Sequence, residues 1–166
     1  MRLRRAGAED AGPIAGIAVR AWWHSHRDFV SAQALAERTV EAQTARWAAR
    51  LAEPEREVWV AVAGGRVAGY AAVGPCADPD AAPASGSLDA LYVDPPAQGA
   101  GLGTHLLQHA VARLRARGLR RATLWVFEQN DQARAFYERH GWVLDPDGAG
   151  NEPEAWDEPA VRYRLC

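Results

Sequence analysis

Lysine is missing from this sequence: all 19 basic residues are arginines. Any chemistry that needs a lysine amine, a Schiff base above all, is thereby excluded. Cysteine is scarce as well. Cys76 and Cys166 are too few for a disulfide scaffold and lack metal-ligand spacing, which fits a reducing, cytoplasmic setting. Excess charge of one sign is also wanting. The 19 basic and 21 acidic residues leave a net charge of −2, so the electrostatic footprint of a nucleic-acid binder is absent. No apolar run approaches the ~18 residues that a membrane span requires. The segment Met1 to Arg5 leads into Ala8-Glu9-Asp10 rather than an apolar stretch, unlike a secretion signal. Neither a membrane nor a nucleic-acid partner is expected.

What is present is an ordinary globular composition, and 166 residues suffice for a single domain, residues 1–166, around one core. The Arg and Ala bias reads as genome composition. Leu3 lies in a short Arg-rich segment that reads as an edge strand. Behind the acidic pair Glu9-Asp10, Ile14, Ile17, Ala18, Ala21 and Trp22 recur at helical spacing. Ser31 is placed to cap a second helix, which Leu35, Val40, Trp47 and Leu51 carry as far as Pro54. Glu57 to Ala63 and Arg66 to Val73 alternate as strands around Gly64-Gly65, a tight hairpin. Gly74 to Gly86 reads as a loop and Leu88 to Val93 as the next strand.

Leu102, Leu106, Ala110, Val111 and Leu114 then mark a helix stopped by Gly118. Ala122 to Phe127 is strand-like, and Asn130 is placed to cap a helix that Gly141 ends. Trp142 to Leu144 and Ala160 to Leu165 are two last strands around an acidic loop. This order predicts an α/β fold: one mixed, predominantly antiparallel sheet with helices on both faces.

The most informative stretch runs from Val93 to Thr104. Asp94-Pro95-Pro96 stops a strand, and a glycine-rich turn, Gly99-Ala100-Gly101-Leu102-Gly103, opens directly into a helix. Glycines let backbone N–H groups approach a ligand without Cβ obstruction, and a helix N-terminus adds unpaired donors that suit a diphosphate. The Gly-x-x-x-x-Gly-Lys pattern of a nucleotide P-loop is absent, and the position after an antiparallel hairpin disfavours a Rossmann unit. A glycine turn without a ligand is the alternative.

Gln98-x-x-Gly101-x-Gly103 matches the Gln/Arg-x-x-Gly-x-Gly/Ala pattern of the GCN5-related N-acetyltransferase (GNAT) superfamily, and Leu91-Tyr92-Val93-Asp94-Pro95 resembles the strand that precedes it there. Asn130-x-x-Ala133-x-x-Phe136-Tyr137-Glu138-x-x-Gly141-Trp142 resembles the second motif of the same superfamily, in order and at a familiar distance. The likeness covers about residues 88–142 at motif level and the whole chain in element order. Ala21-Trp22 and Arg46-Trp47 also resemble the N-terminal helical pair of uncharacterised bacterial members.

The resemblance implies the acyl-CoA N-acyltransferase fold and acetyl-CoA as acyl-donor co-substrate, with no metal. It further implies direct transfer, in a ternary complex, to the primary amine of a small molecule; dimers are common in the superfamily. Leu91, Tyr92 and Val93 would border the pantetheine arm where their strand and the next splay apart. After Gln98, the amides of Gly99, Ala100, Gly101, Leu102, Gly103 and Thr104 would hold the diphosphate, and Asn130, Ala133, Phe136 and Tyr137 would flank the cofactor. Ala100 stands where Lys or Arg is frequent, leaving the amide cradle without that charge.

Acetyl transfer requires a deprotonated amine, a polarised thioester oxygen and a protonated leaving thiolate. By the resemblance, Tyr137 protonates the thiolate and the Val93 N–H polarises the oxygen; the alternative for Tyr137 is an aromatic packing the core beside Phe136. Many members carry Glu six residues before Val93, where this chain has Ser87. Asp89 is placed by strand alternation on the face of Ser87, Leu91 and Val93. It is the candidate base, directly or through water, and a carboxylate merely bonding a loop backbone is the alternative.

Trp22, Trp23 and His26 end the first helix, which borders the acceptor site in this fold. Trp22 and His26, with Ser87, are therefore candidate substrate contacts; of the tryptophans beyond this helix, most are expected in the core. His105 and His109 fall opposite the leucine stripe of their helix and are expected in solvent, so no metal site is expected. The loop Asp145 to Glu158 reads as a solvated acidic segment which, near an acceptor mouth, would attract a cationic amine. Two rival readings remain. One is a protein or peptide N-acetyltransferase with an open groove. The other is a non-catalytic acyl-CoA-binding regulatory module, for which Ser87 speaks.

Overall fold

In a computed structural model describing residues 1–166, the hairpin expected around Gly64-Gly65 forms between β2 (Glu57–Ala63) and β3 (Arg66–Pro75), and both glycines take positive φ. Around it lie β1 (Arg2–Arg5), α1 (Ala11–His26), α2 (Ala32–Glu37), α3 (Val40–Leu51) and β4 (Ser85–Val93). Beyond them follow α4 (Leu102–Ala116), β5 (Arg121–Phe127), α5 (Asp131–Arg139), β6 (Val143–Leu144) and β7 (Ala160–Leu165). The strands form one sheet in the order β1-β2-β3-β4-β5-β7-β6. Only the β4–β5 pair is parallel, so the sheet is mixed and predominantly antiparallel, as expected.

Helices cover both faces. On one, Leu102, Leu106, Leu107 and Leu114 of α4 pack with Leu88, Leu124 and Tyr163. On the other, Ile14 and Ile17 of α1 and Trp47 of α3 pack against Val58, Val60 and Tyr70. Ile14 and Ile17 are almost completely buried, which stabilises by roughly 1.5–3 kcal/mol apiece. The start of α1 is tied to β1 by the buried Asp10, which accepts from both Arg4 Nη atoms at 2.7 and 2.9 Å and from the Gly7 N–H at 2.8 Å. No helix is long and apolar enough to cross a membrane.

Two expectations need correction. The helix expected from Ser31 to Pro54 is two helices. Ser31 caps the first, its hydroxyl accepting from Ala34 N–H, but Thr39 then caps a second by accepting from Ala42 N–H at 3.2 Å. Arg38, with φ −84° and ψ 76°, is the joint between them. The loop expected over Gly74 to Gly86 is also shorter, because Gly74 and Pro75 pair with Ser87 and Gly86 and extend both strands.

Candidate active site

β4 pairs with β3 over most of its length but with β5 only from Ser85 to Ser87, opposite Arg121 to Thr123. Beyond Ser87 the two strands separate. The groups this frees follow from the ladder. Asp94 N–H donates to the Ala68 carbonyl at 2.8 Å, and successive residues of a strand turn their N–H and C=O to alternate sides. Tyr92 and Ala90, opposite Tyr70 and Ala72, therefore bond to β3, while Leu91 and Val93 direct theirs into the gap. The Val93 carbonyl accepts from the Gln98 amide at 3.1 Å. The Leu91 and Val93 N–H groups have no strand to meet.

A cavity of about 290 Å³ opens in this gap. Asp89 lines it, by a route that alternation did not foresee. Ala72 faces Ala90 but Val73 faces Leu88, so Asp89 is the extra residue of a β-bulge. Leu88, Leu91 and Val93 consequently pack with the α4 layer, and Ala90 and Tyr92 with the α1–α3 layer. Asp89 does not share the face of Leu91 and Val93. It pairs instead with Arg56, which follows α3, and accepts from the Ser87 hydroxyl. Burial pushes its carboxyl above the usual range, while Ser87, Arg56 and Arg50 pull it down.

Tyr137 enters from α5. Asn130 caps that helix, its Oδ1 accepting from Ala133 N–H at 3.2 Å, and Ala133 and Tyr137, one turn apart, both line the cavity. The Tyr137 hydroxyl has no protein hydrogen-bond partner. Burial, with a contribution from Tyr92, pushes the phenol far above its ordinary range, so it is a proton donor at neutral pH. The Asn130 Nδ2 donates to His26 Nε2 at 3.2 Å, joining α5 to α1.

At the far end of β4, Gly99 and Gly101 have φ of +86° and +82°, a conformation that favours glycine. Gly101 begins α4 with no side-chain cap, so the first N–H groups of a 15-residue helix are available to an anion. The Thr104 hydroxyl meets His140 Nε2 at 3.1 Å, and His140 Nδ1 meets the Phe136 carbonyl at 2.7 Å, which ties this turn to α5.

The profile of the Acetyltransferase (GNAT) family matches residues 11–142. The chain belongs to this family. A mycothiol acetyltransferase of Beutenbergia cavernae is 49% identical over 65 residues, covering 39% of this chain and 21% of that protein. A probable N-acetyltransferase of Mycobacterium tuberculosis is 34% identical over 110 residues, covering 65% of this chain and 59% of that protein. The chain thus spans about a fifth to three fifths of the length of these relatives. The fold is similar to that of the PaiA N-acetyltransferase of Thermoplasma acidophilum, solved in complex with coenzyme A. Their TM-score is 0.74 at 18% identity, over 98% of this chain and 96% of the other.

Within this GNAT fold, Trp22, His26, Asp89, Leu91, Tyr92, Asn130, Ala133 and Tyr137 converge on the cavity. Ser87 reaches it through Asp89, whereas Val93, Phe136 and the turn from Gln98 to Thr104 stand outside it, at the end of β4 and the start of α4. Trp23 is 41% exposed and points elsewhere. Of the tryptophans expected in the core, only Trp47 and Trp142 are buried, and Trp47 lines the cavity as well, together with Trp125 and Trp156. His105 is exposed, but His109 is half-buried against Trp59, ring centroids 4.2 Å apart, and burial pushes its pKa down.

The acidic loop divides. Asp145 is buried and accepts from Arg162 Nε at 2.8 Å, in a network where Arg162 also binds Asp78 and Asp80. Asp157 and Glu158 line the cavity. Sequence reading missed Arg38, Gln43, Arg46, Arg50 and Tyr70, which also line it. The signal for three of them was available: Gln43, Arg46 and Arg50 share a helical face with Trp47.

Proposed function

We propose that the chain is an acetyl-CoA:amine N-acetyltransferase, acting within one domain by direct attack in a ternary complex on the primary amine of a small molecule. The observation that carries this reading is the free run of β4. The Leu91 and Val93 N–H groups face a gap between splayed strands, with the uncapped start of α4 at one end and a walled cavity at the other. An extended pantetheine chain fits the hydrogen bonds that β5 does not make, and a diphosphate fits the N–H groups after Gly101. The cavity's scale, about 290 Å³, suits a small acceptor better than an extended peptide.

The chemistry then divides among the residues present. The amine nitrogen attacks the thioester carbon, and the C–N bond forms as the C–S bond breaks. The Val93 N–H is directed where negative charge gathers on the thioester oxygen. The Tyr137 hydroxyl gives its proton to the departing thiolate, which otherwise would be stranded in a largely dry cleft. The amine's proton passes to Asp89 or to a water that Asp89 orders. Its raised pKa strengthens Asp89 as a base, and its Arg56 partner keeps it ionised.

Release of CoA thiol from acetyl-CoA in the presence of a panel of primary amines tests the reading. Tyr137→Phe keeps the ring and removes the donor, so kcat should fall about 100-fold, with Tm and the KM for acetyl-CoA close to wild type. Stability lost in step with activity would return Tyr137 to a packing role. Acetyl-CoA binding without thiol release for any amine would leave a binding module.

A further inference from the structure

The α2–α3 wall of the cavity carries more positive charge than the protein neutralises. Arg38, Arg46 and Arg50 all line it, and none is paired with a carboxylate, whereas their neighbour Arg56 is paired with both Glu53 and Asp89. Two of the guanidiniums lie over aromatic rings: Arg38 Cζ is 4.6 Å from the centroid of Trp22 and Arg50 Cζ is 5.1 Å from that of Trp47. A cation over a ring face keeps its N–H donors free for another partner. Arg38 Nε is buried with no hydrogen-bond partner.

Tyr70 adds a second orphan. Its side chain is completely buried, lines the same cavity, and its hydroxyl has no partner. Burial and the adjacent Tyr92 raise its pKa, and Arg38, Arg50 and Arg46 act against that rise; the three arginines line the same cavity as this hydroxyl. Gln43 also lines the cavity, and its side-chain amide makes no hydrogen bond within the protein. A buried donor left unsatisfied is costly, as is the unpaired charge of the half-buried Arg38 and Arg50, while Arg46 is exposed. An anion seated among them would satisfy all of these groups together.

We infer that the acceptor amine also bears an anionic group, a carboxylate or a phosphate, gripped by Arg38, Arg46 and Arg50 with the Tyr70 hydroxyl. This rests on reading the cavity as the acceptor site. Asp157 and Glu158, on the loop before β7, line the cavity too and are not paired with these arginines. They are placed to attract the ammonium end of the same molecule. The acidic loop then serves amines that are zwitterionic rather than simply cationic.

The experiment compares matched acceptors: phenylalanine with phenethylamine for the carboxylate, and O-phosphoethanolamine with ethanolamine for the phosphate. One of the anionic members should exceed its neutral partner in kcat/KM by about 10- to 100-fold, the usual worth of a charge-assisted hydrogen bond or two. Arg50→Gln or Arg38→Gln should collapse that ratio through KM, Arg50→Lys should restore part of it, and the exposed Arg66→Gln should leave it alone. Calorimetric binding of succinate and of inorganic phosphate to the wild type and to Arg50→Gln gives a readout independent of turnover. Anion binding lost in Arg50→Gln, without turnover of any amine, supports the anion site and overturns the enzyme reading. Turnover that favours the neutral partners, or ratios indifferent to the arginine variants, overturns the anion site and leaves the enzyme reading standing.

Discussion

His26 lies at 3% exposure where Trp22 and Phe127 meet its ring edge-on, each with centroids 4.9 Å away. Its Nε2 accepts from Asn130, and its Nδ1 lies near the Trp22 carbonyl without reaching hydrogen-bond geometry. Desolvation, aided by the Arg38 charge, holds its pKa at about 4 against an ordinary 6.5. Between those values the unfolded chain binds a proton that the native chain refuses. Stability is therefore full above pH 6.5 and falls as the pH drops toward 4.

From pH 7 to pH 5 the loss through this one group comes to about 2 kcal/mol. Urea unfolding followed by tryptophan fluorescence at pH 7, 6 and 5 measures it, with His26→Gln as the comparison. Glutamine does not titrate and can still accept from Asn130, so its packing cost is constant with pH. Asp10 and Glu57, whose carboxyls ion pairs hold low, and Asp89, held high by burial, are common to both proteins and cancel in the difference. The wild type should lose about 2 kcal/mol more than His26→Gln across this range. Equal slopes for the two proteins would refute the assignment of a neutral, desolvated imidazole.

Two further outcomes concern the chemistry directly. Asp89→Asn should lower kcat/KM by roughly 10²- to 10⁴-fold and alter the acid limb of its pH profile; wild-type activity with an unchanged profile would move the base elsewhere. Gly101→Asp puts a side chain at φ +82° and a negative charge at the head of α4. Of the about −8 kcal/mol that micromolar acetyl-CoA affinity represents, several should vanish in calorimetry, and unchanged affinity would remove the diphosphate from this turn.

Much of the fold was legible because its signals act over a few residues. Gly64-Gly65 sets the hairpin by its own dihedrals, Asn130 caps α5 through an amide three residues on, and Gly101 starts α4 without help from elsewhere. The Thr39 cap was equally local, yet the apolar period running through it masked the break that makes Arg38 a joint. Other features have no local signature. The bulge at Asp89 exists because β3 and β4 slip by one residue against each other, and that slip alone sends its carboxylate to Arg56.

The splay of β4 from β5 likewise depends on a distant partner: β7 holds β5 along six residue pairs, while β4 shares only three with it. Local dihedral preferences and apolar periodicity thus determined which segments became strands and helices, and where the glycine turn and the Tyr137 helix would lie. Only tertiary packing decided that Arg38, Arg50, Tyr70 and Asp89, far apart in sequence, would face one cavity, because which side chains meet across a cleft depends on long-range register and on how α3 seats on the sheet.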